Sequence, residues 1–82
     1  MVGIVFAENF EKRMRKLKDP IIHAQIKKQI VKITQEPELG KPMQYERKGT
    51  REVYVASFRL AYRYSKEDDR ITFLDFYHKN EQ

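Results

Sequence analysis

Residues 47–79 read RKGTREVYVASFRLAYRYSKEDDRITFLDFYHK, and this stretch limits what the chain can fold into more than any other. β-Branched and aromatic residues dominate it, and turn-forming breaks divide it into strand-length pieces at residues 51–56, 59–65 and 70–77. Three antiparallel strands are expected. On the middle strand, alternation sends Phe58, Leu60, Tyr62 and Tyr64 to one face and leaves Arg59, Ala61, Arg63 and Ser65 on the other. The last strand is apolar on both sides, because Ile71 and Phe73 alternate with Leu74 and Phe76, so it belongs in the middle of a sheet. Lys66-Glu67-Asp68-Asp69 reads as a polar turn with no further role.

The first half of the chain has a different period. Residues 2–6 are a short apolar run suited to a buried strand. Asn9 is a candidate helix cap, and Phe10, Met14 and Leu17 then recur at helical spacing among charged residues. Asp19 caps a second helix with Pro20 at its first position, where the missing N–H has no intrahelical acceptor to lose. Its apolar stripe is Ile22, Ile26, Ile30 and Ile33, and Pro37 ends it near Gln35. The expected fold is α+β. An N-terminal strand is followed by an antiparallel helical hairpin, residues 9–35, packed on one face of a mainly antiparallel four-stranded sheet.

Eighty-two residues make one domain, 1–82, that buries little more than ~60% of the surface of its unfolded form. There is no cysteine, so neither a disulfide framework nor a thiolate metal site can hold the fold, and packing must. No apolar run approaches the ~20 residues needed to span a bilayer, and the N-terminus lacks a basic leader with a long apolar core. An intracellular, cytoplasmic protein without membrane contact is expected. The two histidines, His23 and His78, lie too far apart to suggest zinc, and no cofactor is expected.

Seventeen basic and twelve acidic residues give a net charge of +5, which favours polyanionic partners. Placement matters more than sign. Arg47, Lys48 and Arg51 enter the strand region, Arg59 and Arg63 lie within it, and His78 and Lys79 close it. A row of cations repeated across neighbouring strands points to a bound anion. Each residue also has a plainer reading: Arg59 or Arg63 paired with Glu52 or Asp75 across strands, a solvated basic loop, an exposed terminal histidine. His23, between apolar positions of the second helix, reads as a packing residue, and Tyr54, Tyr62 and Tyr64 as core.

The order of elements, with FAENFEKRMRKL opening the hairpin, a basic loop ending in Gly49, the phrase Phe58-Arg59-Leu60-Ala61-Tyr62 and the closing Tyr77-His78-Lys79, resembles the RelE/ParE superfamily of toxins from toxin–antitoxin pairs. The resemblance implies cleavage of messenger RNA, at the ribosome in the RelE branch, and neutralisation by a cognate antitoxin. Metal-free RNA cleavage needs a base for the 2′-hydroxyl, cations at phosphorus and an acid for the leaving 5′-oxygen. Arg59 holds the family's arginine position and is the expected phosphate clamp, with His78, Lys79 and Lys48 completing the candidate catalytic set. Arg47, Arg51, Arg63 and Tyr45 are the candidate RNA-binding residues, Glu46 is a secondary candidate base, and Tyr77 is another stacking candidate. Many RelE-like enzymes carry a tyrosine beyond the closing phrase, and none follows Lys79 here. Two other functions therefore stay open: a ParE-like, non-enzymatic inhibitor of DNA gyrase, and a basic nucleic-acid-binding module.

Overall fold

The computed structural model describes residues 2–81. In chain order the elements are β1 (Gly3–Phe6), α1 (Glu8–Lys16), α2 (Pro20–Gln35), β2 (Lys41–Pro42), a 3-10 turn (Tyr45–Arg47), β3 (Thr50–Val55), β4 (Phe58–Ser65), β5 (Arg70–His78) and a closing 3-10 turn (Lys79–Glu81). The sheet runs β1-β5-β4-β3-β2, with β1 parallel to β5 and every other pair antiparallel. The expected α+β sandwich is present with five strands rather than four. The additional strand, β2, is two residues at the sheet edge, where Pro42 is tolerated.

Each helix forms for reasons readable in its residues, with one correction at a cap. α1 starts at Glu8 with Ala7 as its N-cap and no side-chain capping bond, so Asn9 lies inside the helix. Its buried contact is Phe10, which meets Phe73 at 6.0 Å and Phe76 at 5.6 Å between ring centroids. α2 is capped as expected: Asp19 Oδ1 accepts from the Ile21 N–H at 2.9 Å and the Ile22 N–H at 3.4 Å. Such a cap contributes about 1 kcal/mol. Ile26 and Ile33 are fully buried while Ile22 and Ile30 pack at the margin, so the stripe faces the sheet. His23 is structural. Its Nε2 lies 2.7 Å from the Leu17 carbonyl and ties the hairpin turn.

The core joins Phe10, Ile26 and Ile33 of the helices to Val55, Leu60, Tyr62, Ile71, Phe73 and Phe76 of the sheet. β5 is an interior strand, between β1 and β4, as its composition suggests, but its apolar residues do not simply alternate between the two faces. Ala61 pairs with Asp75 and Tyr62 with Phe73, which leaves Leu74 as a bulge. The extra residue turns Phe76 back to the helix side, the side already occupied by Phe73. No helix among the described residues is long and apolar enough to cross a membrane.

The chain leaving α2 is held by one tyrosine. The Tyr62 hydroxyl donates to the Pro37 carbonyl and accepts from the Gly40 N–H, each at 2.7 Å. A Cβ at Gly40 would lie 2.8 Å from that ring and hydroxyl, so the close approach requires glycine here. This clamp fixes where β2 begins, and β2 forms one wall of the groove described below.

Candidate active site

Strand register decides which side chains meet on the face away from the helices. β3 and β4 are joined through Ala56 and Ser57, so Val55 pairs with Phe58, Tyr54 with Arg59 and Glu52 with Ala61. Arg59 in turn pairs with Tyr77 of β5. Glu52, Tyr54, Arg59, Arg63 and Tyr77 therefore share this face. Tyr54 is a correction: it is exposed beneath Arg59, whereas Tyr62 is core and Tyr64 packs at its margin.

Glu52 sits at the centre with its side chain only 4% exposed. A buried carboxylate is costly unless paired, and this one has three partners. Its Oε2 accepts a hydrogen bond from the Tyr77 hydroxyl and another from Arg47 Nη1 at 3.1 Å. Arg47, carried by the 3-10 turn, also donates to the Tyr77 hydroxyl and lies 5.5 Å from the centre of its ring. The other oxygen, Oε1, is 3.8 Å from Arg59 Nη1, an ion pair too long for a hydrogen bond. Arg59 is positioned instead by stacking, with its guanidinium 5.0 Å over the Tyr54 ring. Its N–H groups have no hydrogen-bond acceptor among the described residues.

An open groove of about 570 Å³ lies beside this cluster, lined by Arg59, Glu52 and Tyr54 together with Lys41, Met43 and Tyr45. Tyr45 stands at the rim, 89% exposed, on a backbone with φ 60°. Lys48 is exposed where the 3-10 turn ends, and Arg63 is exposed further along β4. Glu46 is exposed within the turn.

Two of the expected site residues face the other way. Arg51 pairs with Tyr62 on the helix side, and its Nη1 donates to the carbonyls of Glu38 at 3.1 Å and Gly40 at 2.7 Å. It braces the loop after α2 and does not join the anion cluster. His78 pairs with Phe58, also on the helix side, and its ring stands edge-on to Phe58 at 5.5 Å while Nδ1 accepts from the Asn80 N–H. The sheet separates it from Arg59. Lys79 is exposed at the start of the closing turn, its backbone N–H bonded to Ser57. Asp75 is engaged by Arg13 of α1 at 2.9 Å, not by Arg59 or Arg63.

The charge balance is also not where the strand region suggested. Residues 36–82 hold nine basic and nine acidic residues, so the whole excess of +5 belongs to residues 1–35. On the face bearing Arg59, the buried Glu52 carboxylate is set between Arg47 and Arg59. Among the described residues no three histidine, aspartate or glutamate side chains come together as a metal-binding group.

The fold has counterparts in known proteins. Residues 4–82 match the family described as ParE toxin of type II toxin–antitoxin system, parDE. Among solved structures, the RelBE2 toxin–antitoxin complex of Mycobacterium tuberculosis contains a chain 25% identical, covering 95% of this chain and 98% of that one with a TM-score of 0.80. The intact RelBE complex of E. coli gives 20% identity, 93% and 94% coverage and a TM-score of 0.78. The YoeB/ParE toxin from Agrobacterium tumefaciens gives 17% identity, 94% and 98% coverage and a TM-score of 0.83. No curated protein sequence matches. With its family matched over all but the first three residues and the RelE-like sheet and hairpin in place, the chain belongs to the ParE toxin family of type II toxin–antitoxin systems, within the RelE/ParE superfamily.

Proposed function

We propose that this toxin is a metal-independent endoribonuclease that cleaves messenger RNA, with a cognate antitoxin as its inhibitor. One observation carries the reading: Arg59 is held by stacking on Tyr54 at the side of an open groove, with its N–H groups directed to no acceptor among the described residues. A guanidinium fixed in this way presents a planar pair of donors to a phosphate. Tyr45 and Tyr54 beside it offer rings on which bases can stack, and Arg47, Lys48, Arg63 and Lys41 supply further positive charge. His78 and Arg51 are not assigned to this site. The antitoxin is inferred from the family and from relatives solved as toxin–antitoxin complexes. Ile4, Val5 and Phe6 of the edge strand β1 give such a partner exposed apolar surface to cover.

A gyrase-directed, non-enzymatic action is the second reading, favoured by the placement of the histidine across the sheet from Arg59. The two are separated by inducing the protein in a suitable host and mapping messenger RNA ends alongside plasmid supercoiling. Purified protein is then assayed on messenger RNA with and without ribosomes. New RNA ends with unchanged supercoiling are expected, and a shift in supercoiling without RNA cleavage overturns the ribonuclease reading.

A further inference from the structure

We infer that Glu52 is the general base of the cleavage reaction, acting through Oε1 while Arg47 and Tyr77 hold the carboxylate by Oε2; this rests on the ribonuclease reading above. The two oxygens are not equivalent. Oε2 takes both hydrogen bonds, from Arg47 and Tyr77, whereas Oε1 takes none among the described residues and faces Arg59 at 3.8 Å. No buried side-chain nitrogen or oxygen among the described residues lacks a hydrogen bond, so Oε1 is not wholly buried, and Glu52 lines the groove. A fixed carboxylate with one oxygen open beside an arginine is what proton removal next to a bound phosphate requires. The neutralisation of Glu52 by its partners and the freedom of the Arg59 donors then have a common explanation. A phosphodiester lying in the groove against the open face of Arg59 would bring its ribose 2′-hydroxyl to Oε1.

The ribose 2′-oxygen attacks phosphorus as its proton passes to Glu52 Oε1, the P–O5′ bond breaks, and a 2′,3′-cyclic phosphate forms. The departing 5′-oxygen takes a proton from groove water, and the hydroxide so formed removes the proton from Glu52. Arg59 stabilises the charge that grows on the phosphate oxygens. Arg47 and Tyr77 are positioning residues. The groups facing the carboxylate are Arg47 from the 3-10 turn, Arg59 from β4, Tyr77 from β5 and Lys41 opposite it on β2.

The test compares parent, Glu52→Gln and Tyr77→Phe on the same messenger RNA, with the pH profile of the rate, product ends and thermal unfolding recorded for each. Folded E52Q is expected to lose about 10²–10⁴-fold in rate and to lose the acid-side fall that the parent shows. Y77F, lacking only the hydroxyl, keeps that fall at a reduced rate. Parent products carry 2′,3′-cyclic phosphate, and 2′-deoxy substitution at the cut nucleotide blocks cleavage. E52Q cutting as fast as the parent overturns the assignment and leaves the ribonuclease reading intact. If E52Q does not fold, the parent profile decides: rates that do not fall on the acid side overturn the base. A parent that cuts no RNA refutes the underlying reading and this inference with it.

Discussion

Tyr62→Phe removes one oxygen from the centre of the protein and leaves the ring to pack as before. Two hydrogen bonds disappear with it, the donation to Pro37 and the acceptance from Gly40, both at 2.7 Å. Gly40 is buried, so its N–H is left without an acceptor at a cost of about 1–3 kcal/mol, and the bare Pro37 carbonyl adds about 1 kcal/mol. The expected total is about 2–4 kcal/mol, a large part of the ~5–15 kcal/mol that stabilises a typical domain. For a chain of this size that lowers Tm by roughly 10–25 °C. Urea unfolding followed by circular dichroism measures it. A loss below about 0.5 kcal/mol, the scale of a surface change, would show that the hydroxyl does not clamp the loop. The same residue sets an alkaline limit. Burial raises the Tyr62 pKa above the ordinary tyrosine value, so the folded state binds this proton more tightly than the unfolded state does. The associated stability is fully present below about pH 10 and falls as the pH rises towards the folded value. Y62F lacks this contribution, so the gap between parent and variant should narrow above that pH.

Three further outcomes follow from placement. Ile26→Ala, at a fully buried position between α2 and the sheet, should cost about 2–5 kcal/mol by urea unfolding. Arg51→Ala should destabilise by about 1–2 kcal/mol through the freed Glu38 and Gly40 carbonyls, with RNA cleavage per folded molecule unchanged. His78→Ala should leave the cleavage rate and its pH dependence as in the parent, since the imidazole lies against Phe58 on the far face of the sheet.

The helical half was legible because its signals are local: Asp19-Pro20 starts α2, the isoleucine stripe orients it, and Phe10 with Met14 orients α1. β2 was not, since two residues ending in proline show no alternation. The site was half legible. The two-residue link at Ala56-Ser57 fixes the β3–β4 register, and from it Arg51 can be counted onto the face of Tyr62 and Tyr54 onto that of Arg59. The bulge at Leu74 is different. Alternation counted from Ile71 and Phe73 carries Tyr77 to the helix side and His78 to the side of Arg59. One extra backbone residue exchanges the two, bringing the tyrosine hydroxyl to Glu52 and taking the histidine away. Glu52 itself reads in the sequence as a salt-bridge partner, and only its burial between Arg47, Arg59 and Tyr77 marks it as more.

The central claim is that Arg59 clamps the scissile phosphate, and the direct measurement is the rate of messenger RNA cleavage by Arg59→Ala and Arg59→Lys beside the parent, each checked by thermal unfolding. Arg59→Ala should lose about 10²–10³-fold in rate while remaining folded, because Arg47 and Tyr77 still hold the Glu52 carboxylate. Arg59→Lys should recover part of the loss, restoring charge without the planar fork. A folded Arg59→Ala variant that cuts as fast as the parent would contradict the account.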